Sequence, residues 1–180
     1  MNYELTDLQR YILLLLSLKN NEPIKGKLWL QKELFLLAKN ISKLEREASF
    51  EPDFIGPFSE NADEELEELK LDDFIDIDRK IRITEDGKNI IKKIQNSFSK
   101  EEIELANNIK DFLNDLPEDE LLAFVYFSYP EMAQESLVKK GVEKERIELA
   151  INLYKKNKVS IEKASEIAGI PIEKFMKLLQ

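Results

Sequence analysis

Between Ser160 and Leu179 the chain reads SIEKASEIAGIPIEKFMKLL, and this stretch constrains the fold more than any other. Two helices that cross closely need small residues at the crossing and a turn residue that tolerates positive φ. Ala164 and Ser165 are the small pair, and Gly169 stands at the turn. Ile170 is expected to tuck inward, and Pro171 to open the second helix, where its missing N–H costs nothing. Ala168, Phe175 and Leu178 are expected to complete the apolar side. The pattern predicts a helix-turn-helix, preceded by a helix from about Glu143 to Asn157.

Upstream the helical period recurs with one interruption. Thr6 and Gln9 form a capping-box pattern that starts a helix at about Asp7 and carries it to about Ser17. Leu30, Leu34 and Leu37 place a second helix over 28–39. SFEPDFIGPFSE is read as a loop because its Pro and Gly residues break helices, and a third helix covers 60–71. In FIDIDRKIRIT the period falls to two, which predicts a β-hairpin with Asp76, Asp78 and Arg82 facing water. A further helix begins after Thr84. Helices followed by a hairpin and another helix make a winged helix-turn-helix.

Ser99 and Glu102 then cap a helix ending near Leu116, and EDELLAFVYFS forms an aromatic-rich helix stopped by Pro130. A short helix follows to about Lys140, ended by Gly141. The fold class expected is mainly α: a winged-helix domain over 1–96, a helical connecting or dimerisation segment over 97–141, and a helix-turn-helix over 142–180. The aromatics of the middle segment (Phe124, Tyr126, Phe127, Tyr129) either join two subunits or pack the modules of one chain together.

The chain has neither Cys nor His among its 180 residues, which removes thiol and imidazole chemistry and the usual zinc ligands. Asp72, Asp73, Asp76 and Asp78 lack calcium-loop spacing, and the acids Glu118, Asp119 and Glu120 suit the first turn of a helix. No phosphate loop or nucleophile elbow is present. No catalytic residue, metal or cofactor is therefore expected, and the chain is not read as an enzyme. YILLLLSL is too short to span a bilayer. A cytoplasmic protein without membrane contact is expected, and the lack of cysteine suits that compartment.

The formal charge of -9 is unevenly spread. Residues 1–50 hold 8 Lys/Arg against 6 Asp/Glu, residues 51–136 hold 9 against 24, and residues 137–180 hold 10 against 6. The helix ENADEELEELK, where a winged helix would read DNA, has six acids and one lysine; a polyphosphate would repel it. The C-terminal segment is locally basic. Lys174, Lys177 and Gln180 are expected on the open side of its second helix, with Lys155, Lys156 and Lys158 before it. Lys139, Lys140, Lys144 and Arg146 are further candidates for a phosphate backbone. A solvated helical face is the competing reading.

The quoted motif also resembles a small, largely uncharacterised prokaryotic antitoxin-like family. Its members carry Ser, three residues, then Ala-Ala/Ser-Glu-Ile/Leu-Ala-Gly. Ser160, Ala164, Ser165, Glu166, Ile167, Ala168 and Gly169 match this pattern, and ERIELAINLYKKNKV is similar to that family's leading helix. The resemblance covers about the last 36 residues and implies a DNA-binding or antitoxin-type role. DFIGPFSE with IRITEDGKNII is similar to winged-helix segments of uncharacterised prokaryotic proteins, in which a tyrosine stands at the place of Phe58.

The function expected is a transcription regulator or antitoxin-like DNA-binding protein. It would act as a homodimer, because helix-turn-helix proteins commonly bind paired half-sites, and its acidic middle would suit a basic protein partner. The alternative is a protein-interaction module in which both helix-turn-helix units are scaffold.

Overall fold

A computed structural model describes residues 4–180 of the chain. The described residues divide into two compact units. The first holds the chain up to Phe50 together with Phe58–Asp115; the second holds Glu51–Pro57 together with Leu116–Gln180. The segment 97–141 is thus shared, its first helix falling in one unit and the remainder in the other. None of the helices described is long and apolar enough to cross a membrane.

The first unit is built on α1 (Asp7–Asn21) and α2 (Lys27–Ala38). Thr6 and Gln9 form the expected capping box, each satisfying a backbone N–H of the other. Leu13–Leu16 are all buried, as in a helix surrounded by protein on every side. Regular helical geometry ends at Ser17, for Leu18 is extended and Lys19 and Asn20 are left-handed. Lys110 takes up carbonyls at this irregular end. Its Nζ donates to the Leu15, Leu18 and Glu22 oxygens at 2.7, 3.0 and 2.6 Å. Lys110 comes from α6 (Lys100–Leu113), whose own start is the Ser99–Glu102 capping box.

Between α2 and α6 lie α3 (Ser42–Ala48), α4 (Glu60–Leu71), β3 (Ile75–Ile77), β4 (Ile81–Ile83), α5 (Glu85–Ile94) and a 3-10 turn over Gln95–Ser97. The hairpin β3–β4 is antiparallel, with Ile75 opposite Ile83 and Ile77 opposite Ile81. Ile24 adds a bridge, exchanging both backbone bonds with Ile81 at 3.0 and 2.9 Å. Asp76 and Asp78 face solvent, and Arg82 pairs with Asp78 at 2.9 Å.

Two features of the chain up to Phe58 differ from the sequence reading, one in the first unit and one in the segment that belongs mostly to the second. Helix α3 was not foreseen, since SKLEREA is too short to show a period. The segment read wholly as a loop contains two three-residue strands, β1 (Glu51–Asp53) and β2 (Gly56–Phe58); Pro is tolerated there because the ribbon has only two strands, both of them edges.

The second unit carries α7 (Glu118–Ser128), a 3-10 turn over Pro130–Ala133, α8 (Lys139–Lys144), α9 (Arg146–Lys155), α10 (Ile161–Ala168) and α11 (Ile172–Leu178). Gly141 does not end a helix; it lies inside α8. Within this unit Tyr126 is fully buried, while Phe124, Phe127 and Tyr129 are half-buried. Among the described residues the chain is mainly helical, with two small strand pairs.

Candidate nucleic-acid interface

The C-terminal site starts where α9 ends. Asn157 is left-handed at φ 56°, a conformation asparagine tolerates, and the Lys158 N–H returns to the Leu153 carbonyl at 2.9 Å. Ser160 caps α10, its Oγ accepting from the Lys163 N–H at 3.2 Å. Ala164, Ile167 and Ala168 are buried, as are Leu149, Ala150 and Leu153 on α9, against which α10 packs. Small side chains at Ala164 and Ala150 let the two helices come close. Ser165 is buried as well, its hydroxyl donating to the Glu162 carbonyl at 2.8 Å.

Gly169 turns the chain at φ 70°. It is required for a second reason. A Cβ there would come within 2.7 Å of the Arg146 guanidinium, which lies against the turn and donates to the carbonyls of Ile167 and Glu166. The same guanidinium stacks 4.0 Å above the centre of the Phe127 ring. Arg146 therefore caps the C-terminal end of α10, where a cation is favoured by the helix dipole. It is not available to a phosphate backbone as the sequence reading expected.

Beyond the turn, the Lys174 and Phe175 N–H groups both bond to the Pro171 carbonyl at 3.0 Å, and α11 begins at Ile172. Phe175 is fully buried and meets Tyr154 edge-to-face, ring centroids 6.3 Å apart. This contact sets the end of α9, with Lys155, Lys156 and Lys158, beside α11. Ile172 and Leu179 are half-buried on the same side as Phe175. Leu178, expected on the apolar side, is 52% exposed. Helical rotation explains this: residues 172, 175 and 179 share a stripe that 178 misses.

Lys174 and Lys177, one turn apart, stand exposed on α11 and make no ion pair among the described residues. Lys155 is likewise exposed, and Gln180 lies exposed beyond the end of the helix. Lys156 is committed elsewhere, since its Nζ sits 2.7 Å from the carboxylate of buried Glu120. Lys158 is half-buried. The outward face of α11 also carries Met176, 51% exposed. Met176 lies about 100° round the helix from Lys177, with Glu173 between them.

The sequence reading missed a buried ionic cluster in the first unit. Glu33 on α2 is fully buried, and neither of its carboxylate oxygens has a hydrogen-bond partner. Burial holds its carboxyl well above the usual range, opposed by the Lys110 charge and reinforced by Glu22. Burial likewise pushes Lys110 down to about 8, opposed by Glu33 and Glu22. Nothing in KELFLLA marks Glu33 as buried, because charged residues in such runs ordinarily sit on the wet face.

No curated protein matches the chain. Residues 125–180, which run from within α7 through α11, match the uncharacterised protein family UPF0175, and it is to this family that the helix-turn-helix part of the chain is similar.

Proposed function

We propose that the protein is a non-enzymatic, DNA-binding transcription regulator, antitoxin-like in its C-terminal part. It acts as a cytoplasmic homodimer and contacts DNA through α10 and α11. One observation carries this reading: the Gly169 turn and the buried Phe175 anchor leave Lys174 and Lys177 together and exposed on the second helix, with Lys155 exposed at the end of α9. In this arrangement the lysines reach phosphates, and Met176 offers an apolar contact to thymine methyl groups.

In the same reading the first unit is a winged helix. The helical order, the β3–β4 hairpin and the single bridge that Ile24 adds to β4 support it. Its α4 is not a DNA reader, because it is acidic, and Lys27 of α2 is already paired with its Asp63 and Glu67 at 2.9 and 2.8 Å.

The test is fluorescence anisotropy of the full-length protein against fragments of its own genome at two salt concentrations. Three lysines facing phosphates give a slope of log affinity against log salt of about -2.7 for each copy bound. Lys174→Glu with Lys177→Glu is expected to abolish binding. A second reading, a protein-interaction module, is favoured by the exposure of Met176 and Leu178. It predicts no DNA binding even at low salt.

A further inference from the structure

Within the second unit, four large apolar side chains are exposed at one place. Phe54 and Ile55, at the tip between β1 and β2, are 61% and 40% exposed; Leu137 and Val138 are 76% and 41% exposed. The Leu137 N–H bonds to the Phe54 carbonyl at 3.0 Å, so the two pairs are adjacent. Ser136 holds this loop in place, donating to the buried Tyr126 hydroxyl at 2.8 Å and accepting from the Val138 N–H at 3.3 Å. Contiguous apolar surface on an anchored loop marks an interaction site more often than scattered exposed residues do.

Val138 continues the patch into a groove of about 410 Å³ between α7 and α8. Its apolar lining is Leu122, Val138 and Val142, and its charged lining is Glu118, Asp119 and Glu145, with no lysine or arginine among the lining residues. Glu51, Glu131 and Glu135 are also exposed on the segments next to the patch. Lys139 and Lys140 on α8 do not line the groove.

We propose that this patch and groove dock a basic amphipathic segment from a partner protein, one whose apolar side chains enter the groove while its lysines or arginines meet Glu118, Asp119 and Glu145. The carboxylate rim repels nucleic acid and anionic membrane alike. It also disfavours a second copy of the chain, because a two-fold contact sets the same patch against itself and brings like charges together. The surface is separate from the α11 lysines and does not depend on DNA binding.

Gly141 supplies a clean probe. It lies on the groove lining, and a Cβ built on it meets nothing within 4 Å, so Gly141→Trp adds bulk at the groove with no clash at its Cβ. The measurement is anisotropy of a labelled 15-residue synthetic helix with leucines on one face and lysines on its flanks, titrated with the full-length protein. The control peptide has glutamate in place of each lysine. The lysine peptide is expected to bind at least tenfold tighter than the glutamate peptide. Leu137→Ser and Gly141→Trp are each expected to weaken it at least tenfold, whereas Lys174→Glu with Lys177→Glu leaves it unchanged. Equal affinity for both peptides, or parent-like binding by Leu137→Ser and Gly141→Trp, overturns the proposal. So does sedimentation showing a dimer that Leu137→Ser dissociates, since the patch is then covered by a second copy.

Discussion

Arg146 joins three parts of the second unit with one planar group: the carbonyls ending α10, the backbone of Gly169 and the face of Phe127. Gly169→Ala forces both a left-handed alanine and a displaced guanidinium, and should lower stability by about 1–3 kcal/mol, read by urea unfolding. Arg146→Lys should not rescue the contact, because an ammonium can neither fork between two carbonyls nor stack flat on the ring. In the first unit, Lys110→Met removes a donor shared by three backbone carbonyls, of which that of Leu18 keeps a second, the Glu22 N–H, and should destabilise by about 3–5 kcal/mol.

The sign of the pH effect follows from the shifts. Glu33, raised in the folded state, contributes stability that is full below the ordinary carboxylate pKa and is lost as pH rises through its folded value. Lys110, lowered to about 8, contributes stability that is present above the ordinary lysine pKa and is lost as pH falls through about 8. Glu33→Gln keeps the shape and removes the first titration. Its urea midpoint is expected to match the parent in acid and to exceed it increasingly as pH rises through the folded pKa of Glu33.

At the scale of elements, short-range signals carried most of what could be read in advance. Thr6, Ser99 and Ser160 cap helices because their hydroxyls reach N–H groups three residues on, and the two-residue period of β3 and β4 is visible in four isoleucines. Arg146 could not be read this way, since its carbonyl partners lie 20 and 21 residues away. The same holds for Lys110, whose acceptors lie 88 to 95 residues away. At the candidate interface, the turn and Lys174 and Lys177 were legible from spacing. The pairing of Lys156 with Glu120 was not, because burial of Glu120 depends on how α7 and α9 pack. Gly87 belongs to this class too. A Cβ on it would lie 2.1 Å from the Phe74 carbonyl oxygen, so α5 rests directly on the backbone leading into β3. Gly87→Ala is expected to push α5 off the hairpin and cost about 1–3 kcal/mol in urea unfolding.

At the scale of the molecule, the two units are not successive in sequence. Residues 51–57 interrupt the first unit and belong to the second. A fragment beginning at Leu116 therefore lacks β1 and the Phe54 carbonyl that holds the Leu137 N–H. It should melt several degrees below the same residues in the full chain, since about 1 kcal/mol moves the midpoint of a domain this small by roughly 4–8 °C. Calorimetry of the two proteins checks this.

The interruption also sets an order of events on the ribosome. Phe54 emerges 83 positions before Leu137, and at roughly 5–20 residues per second that is a wait of about 4–17 s. During that interval the nascent chain can complete much of the first unit's early helices while Phe54 and Ile55, although β2 follows them at once, have neither the Leu137–Val138 turn nor the groove wall beside them. The flanking acids Glu51, Asp53 and Glu60 then act as gatekeepers, keeping neighbouring nascent chains apart until the rest of the second unit has been translated.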